Sequence, residues 1–237
     1  MNVASFEVLR DERVGQGGHL VIRRLELKLV FDDGARTQAG SWDYVERPMG
    51  LDAVVLAIWR RPKPRGRVEV LLRSGVRVPL WFGRPAPSRV APPGDVESSP
   101  ASNGGERRLL FTELVAGILE PGDDRDLRAI AEAREEAGLV ITRVEPLGPP
   151  MFPTPGMCAE LFHFLSCEVQ PDAPMHPAEG DGSVFEQGAR LEWVELGEAL
   201  ARCGRGEIQD VKTELGLRRL SERLGLPSAS RESKHRP

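Results

Sequence analysis

The sequence predicts an α/β protein of the α+β kind: a strand-rich first half, a strand–helix–strand unit, and two helices at the end. Three observations predict it. Apolar residues recur through Leu20, Ile22, Leu25, Leu27 and Leu29, close to the period of a strand. The run AVVLAIW (53–59) is apolar throughout, as a strand covered on both faces is. A helical stretch over about 124–137 stops at Gly138, a helix-terminating glycine.

Element by element, a hairpin or small meander is expected over about 18–46, with Asp33-Gly34 at its turn. GLDAVVLAIWRR supplies a central strand, and RVEVLLRSGVRVPLWFG a strand pair or a strand running on into an edge. Residues 83–108 are rich in Pro, Gly and Ser and nearly empty of large apolar residues, so burial cannot offset their ordering entropy; they read as a surface insertion. LLFTELVAG resumes with a strand before the helix, and LVITRVEPLGPPMFPTPG is a strand and a Pro-rich loop. CAELFHFLSCEV and ARLEWVEL are further strands. GEALARCGRGEI and QDVKTELGLRRLSERLG are two helices, the second with Leu215, Leu220 and Leu224 partly on one face. The expected organisation is a β-rich region over 1–46, a main domain over 47–226 carrying the 83–108 insertion, and a frayed tail over 227–237.

Composition narrows the function. With 40% apolar and 29% charged residues the chain of 237 has ordinary globular composition. Its net charge of −4 argues against a nucleic-acid or anionic-membrane partner, either of which favours a basic patch. The N-terminus lacks the order of a signal peptide, and no apolar run approaches the roughly 20 residues a bilayer needs. Cys158, Cys167 and Cys203 have no CxxC spacing and leave one thiol over in any pairing, so reduced thiols in a cytoplasm are expected and zinc is not.

The chemistry concentrates in AGILEPGDDRDLRAIAEAREEAGL (116–139). Glu132, Glu135 and Glu136 share one side of the helix, where like charges repel. They also fall in its last turn, where the helix dipole disfavours negative charge. One reading is a solvated acidic face. The other is a hard divalent cation, bound through carboxylate oxygens and in turn binding substrate phosphates.

The frame around the cluster resembles the Nudix box, G-x5-E-x7-R-E-U-x-E-E-x-G-U, with U aliphatic. Gly117, Glu132, Ala133, Glu135, Glu136, Gly138 and Leu139 match, while Asp123 and Ala131 stand where the box has Glu and Arg. ELVAG (113–117) is similar to the E-L-P-A-G element of ADP-ribose pyrophosphatases, and TPGMCAE (154–160) to their S-P-G-x-x-x-E element. Arg77 sits where that subfamily has the arginine of a Q-x-R strand, and DVKTELGL is similar to its final helix. The resemblance spans roughly 18–225.

This resemblance implies a mixed sheet sandwiched between helices, an α/β/α Nudix fold. It implies Mg²⁺, with Mn²⁺ the alternative, held mainly by Glu132, Glu136 and the backbone carbonyl of Ala116. Glu135 would complete the shell directly or through water. Gly117 and the Glu120-Pro121-Gly122 bend would bring backbone groups near a diphosphate. The box arginine of the family orients the metal glutamates, so with Ala131 that task falls to Arg128 or Arg134. The general base would lie in EGDGSVFEQGARLEW, with Glu186 first and Glu179 and Asp181 behind it. Arg77 and Glu113 are candidate contacts to phosphate and to adenine or ribose, the alternative being a surface salt bridge. Glu160 would support the site by hydrogen bonds or be an exposed strand residue. The subfamily uses its N-terminal strands in a homodimer, as residues 18–46 would here.

The function so implied is a Mg²⁺-dependent pyrophosphatase that cuts ADP-ribose, or a related nucleoside diphosphate sugar, into a nucleoside monophosphate and a sugar phosphate. A second reading, favoured by Ala131 and opposed by the intact glutamates, is a nucleotide-sugar sensor that binds without hydrolysis.

Overall fold

The computed structural model describes residues 3–15, 19–48, 50–62, 66–82, 110–178, 180 and 188–226. The 83–108 insertion, the 227–237 tail, and Glu179, Asp181 and Glu186 lie outside the described residues. The chain forms two compact units. One comprises Met1–Ala53, Ile118–Asp123 and Met151–Phe162; the other comprises Val54–Gly117, Asp124–Pro150 and His163–Pro237.

The first unit holds a three-stranded antiparallel sheet in the order β1 (Val3–Val14), β2 (Val21–Phe31), β3 (Gly40–Glu46). The expected hairpin is β2–β3. Gly34 takes φ +82°, which an L side chain resists, and its amide closes the turn on the Phe31 carbonyl at 3.0 Å. β1 goes beyond the sequence reading: register shifts between Val3 and Ser5 and between Val8 and Arg10 break the alternation that would have announced it. Cross-strand partners share a face, so Leu25 opposite Trp42 and Leu27 opposite Val8 give that face an apolar patch, bordered by Asp11, which also lies opposite Leu25 and pairs with Arg23. On the other face Arg24 pairs with Asp43 at 2.7 Å. Elsewhere in this unit Val45 N donates to Met157 O at 2.8 Å and Ala53 N to Leu161 O at 3.0 Å.

The second unit is built on a mixed sheet in the order β10 (Arg190–Glu195), β5 (Glu69–Val76), β4 (Ala53–Arg60), β9 (Phe162–Glu168), β8 (Glu145–Pro146). β4 is buried from Ala53 to Ile58, as its unbroken apolar run predicts. It pairs with β5 at Trp59–Val70 and Arg60–Glu69. Further along, β5 takes β6 (Leu110–Glu113) as partner, from Arg73–Glu113 to Val76–Leu110, while β4 takes β7 (Val115–Ile118). One continuous segment thus bridges two strands that have parted. Its changeover residue, Leu114, has its amide satisfied by the Thr213 hydroxyl at 2.8 Å.

Helices complete the unit. α1 (Val78–Phe82) is a short helix where a strand pair or edge was expected. α2 (Arg125–Ala137) is capped at one end by Asp124, which accepts from the amides of Asp126 and Leu127 at 2.9 Å. At the other end Gly138 takes φ +63°. α3 (Leu196–Gly204) packs on α4 (Val211–Arg223) and on β10. α4 buries Thr213, Gly216, Leu217, Leu220 and Ser221. Of the expected Leu215–Leu220–Leu224 stripe only Leu220 is buried, Leu215 and Leu224 being half-buried; a Cβ at Gly216 would overlap Leu114, so the helix sits close there and small residues share its inner face with Leu217 and Leu220. LVITRVEPLG also differs from expectation. Only Glu145–Pro146 is strand, and Leu139, Ile141 and Val144 are buried from irregular backbone. Among the described residues, no helix is long and apolar enough to cross a membrane. All three cysteines are free; burial pushes the Cys167 thiol up to about 12.

Candidate active site

The second unit gathers most of the expected site residues where β4 and β5 part. α2 lays its acidic turn against β7, so that Ala116 N donates to Glu136 Oε2 at 3.2 Å. Gly117 follows. A Cβ there would overlap the Glu132 carboxylate, so only glycine leaves that side chain its room. Glu132 is 4% exposed, which no solvated acidic face would show.

Two arginines answer the charge. On α2, Arg128 Nε donates to Glu132 Oε1 at 2.9 Å, and its Nη2 to Glu132 Oε1 and, at 3.0 Å, to Glu135 Oε2. Burial would lower the Arg128 pKa, but Glu132 and then Glu135 outweigh it. From β5, Arg73 Nε stands 3.4 Å from Glu136 Oε1. Burial pushes Glu136 up to about 7, with Arg73 opposing and Glu132 reinforcing the shift. Among the described residues no three His, Cys, Asp or Glu side chains already converge as a metal site would. Each of the three carboxylates instead faces an arginine, Glu132 and Glu135 facing Arg128 and Glu136 facing Arg73.

Glu113, at the end of β6, is 1% exposed. Arg77 Nη2 donates to its Oε1 and Lys212 Nζ to its Oε2 at 2.6 Å, while Lys212 also reaches Asp210 Oδ2 at 2.8 Å. Burial would lower the Lys212 pKa; Glu113 and Asp210 outweigh it and hold the ammonium above its ordinary value. Asp210 in addition accepts from Thr213 N at 3.1 Å and so caps α4. Arg77 is the more open member of this network, with 43% of its side chain exposed.

Two backbone bonds tie a later stretch of chain to the end of α2. His176 N donates to the Gly138 carbonyl and Gly180 N to the Glu135 carbonyl, both at 2.9 Å. His176 and Gly180 are therefore tied to the C-terminal turn of α2. Glu160 belongs to the other unit, where it pairs with Arg47 at 2.7 Å.

The sequence reading missed Arg73, Lys212 and Asp210. A signal for Arg73 was present: it follows the apolar run Val70–Leu72 inside EVLLRSGV, and a charge in the covered part of a strand needs a partner. For Lys212 the hint was weaker, two residues after an aspartate that caps a helix.

No protein-family model matches the chain, and no curated protein matches it. Among solved structures, that of an ADP compounds hydrolase aligns over 95% of this chain and 97% of its own, with a TM-score of 0.63 and 14% identity. At that identity the likeness concerns the fold: this chain has a Nudix-like α/β/α sandwich with a mixed sheet.

Proposed function

We propose that the chain is a hydrolase that cleaves the diphosphate of ADP-ribose or a related nucleoside diphosphate sugar, giving a nucleoside monophosphate and a sugar phosphate. The observation that carries this reading is the placing of Glu136 on Ala116 and of Glu132 on Gly117, with Glu135 joined to Glu132 through Arg128 and Arg73 beside Glu136. The structural neighbour is named for ADP compounds, which favours an ADP-containing substrate here.

The donor set fits a hard divalent cation: carboxylate oxygens, a backbone carbonyl, and a glycine whose missing side chain gives Glu132 its space. Glu132, Glu136 and the Ala116 carbonyl would hold Mg²⁺, or Mn²⁺ in its place, with Glu135 completing the shell. When bound, such a cation neutralises phosphate charge and lowers the pKa of a water.

The chain's own groups do the rest. Arg77 offers a partly exposed guanidinium to a phosphate, and Glu113, fixed by Lys212, holds it there. Gly117 allows close backbone approach to the diphosphate. Glu186 takes the proton from the attacking water, and the Gly180–Glu135 tether supports its segment working near the acidic turn. Water's OH joins one phosphorus, and the bridging oxygen leaves with the other phosphate. A second copy of the chain is the proposed partner of the apolar patch on β1–β3.

The sensor reading retains one observation in its favour, Ala131 in place of the box arginine. Product release from ADP-ribose, UDP- and GDP-sugars, NADH and diadenosine polyphosphates, with Mg²⁺ and with EDTA, separates the two. Metal-dependent cleavage of ADP-ribose, lost in Glu136→Gln, is the expected result. Binding of ADP-ribose with no cleavage of any compound makes the chain a sensor.

A further inference from the structure

Ala131 leaves the acidic turn without the arginine that the box pattern puts there, yet Glu132 and Glu135 are not short of one. Arg128 lies one turn before Glu132 and two turns before Glu135, so the three side chains rise from one stripe of α2. Its fork reaches both carboxylates, bonding Oε1 of Glu132 and Oε2 of Glu135. A guanidinium is suited to this because it is planar and presents several donors at fixed angles, whereas an ammonium is a point charge. Arg134, the other candidate for that task, is exposed and sits two residues from Glu132, about 200° around the helix.

We propose that Arg128 is a positioning residue that takes over from the absent arginine at 131, fixing the side chains of Glu132 and Glu135 in the arrangement that receives a divalent cation. The proposal rests on the metal-dependent reading above and assigns the bridging role to a residue outside the box pattern. The structure also gives room for the reverse arrangement. A cleft of about 310 Å³ lined by Leu127, Ala131, Glu135 and Leu139 borders position 131. An arginine placed there would lie one turn from Glu135.

The test is calorimetric titration of Mg²⁺ and Mn²⁺ into the full chain, with thermal melts of the same samples without metal. Wild type, Arg128→Ala, Arg128→Lys and the double variant Arg128→Ala/Ala131→Arg are compared. Arg128→Ala is expected to weaken metal binding at least tenfold. Arg128→Lys keeps the charge without the fork and recovers only part of the loss, while the double variant returns to within about threefold of wild type. Unchanged or tighter binding by Arg128→Ala overturns the proposal, because the arginine is then idle or a competitor. Should that variant not fold, wild-type affinity in Arg128→Lys overturns the bridging role. If wild type binds neither metal, the metal reading falls and this one with it, an outcome distinct from loss confined to the variants.

Discussion

Arg73 of β5 and Glu136 of α2 face each other at 3.4 Å with less than a tenth of either side chain exposed. A buried pair contributes little net stability, but removing one partner strands the other charge in a poorly solvated place, at about 3–5 kcal/mol. At about pH 9, where the Glu136 carboxyl is ionised in the wild type, Arg73→Met is therefore expected to lower Tm by roughly 6–12 °C, taking about 3 kcal/mol at about 2–4 °C each. Arg73→Met/Glu136→Gln should recover at least half of that. Differential scanning calorimetry decides: equal losses in the single and double variants would mean that the two charges do not depend on each other.

The same carboxylate gives a pH dependence. Its folded pKa of about 7 lies above the ordinary 4.5, so between those values the folded state holds a proton that the unfolded chain has released. Stability of the metal-free protein should fall as pH rises from about 4.5 to about 7 and then level off. Glu136→Gln should flatten the change. A melt series from pH 4.5 to 8 in EDTA checks this, against the background of all other titrating groups that the variant shares.

Gly117 is expected to be intolerant for a local reason. The methyl group of Gly117→Ala would occupy the space of the Glu132 carboxylate, forcing that side chain aside without disturbing the strand ladder. A displacement of about 1 Å in a reacting group is enough for a 10²-fold loss. Activity on ADP-ribose should drop about that far with Tm within about 3 °C of wild type, whereas Gly204→Ala, whose Cβ meets nothing, should behave as wild type.

Lys212 closes a second enclosed network. Lys212→Met leaves Glu113 with Arg77 alone and Asp210 without its cation, and is expected to cost about 3 kcal/mol. Urea unfolding measures it. A loss below about 1 kcal/mol would make this pair no more than a surface contact.

The proposed dimer has a direct test. Val8 and Trp42 are each 56% exposed in the apolar patch on β1–β3. Charged substitutions Val8→Glu and Trp42→Arg should move the protein from dimer to monomer in light scattering behind size exclusion. If wild type already runs as a monomer at micromolar concentration, the dimer is refuted.

Legibility in the sequence followed the range of the interaction involved. The β2–β3 hairpin, the buried β4, the span of α2 and its glycine stop all rest on neighbours within a few residues, and each was readable. β1 escaped because bulges spoil its period, and the buried face of α4 because packing against Leu114 selects Gly216 over larger residues.

The site divides in the same way. By itself the sequence determined that three glutamates share one side of a helix, since a spacing of three and four residues is already a geometry. It determined too that Gly117 and Gly138 frame them, and that Arg128 lies one turn away. Only the tertiary structure decided that Arg73 stands beside Glu136, or that Lys212 and Arg77 both close on Glu113, because those residues meet across 36 to 99 positions of chain. Their meeting depends on β4 and β5 parting and on α4 docking at Leu114. Helical spacing is fixed by local bond geometry; which cation faces which carboxylate is fixed by how strands pair and helices pack, and no run of neighbouring residues encodes it.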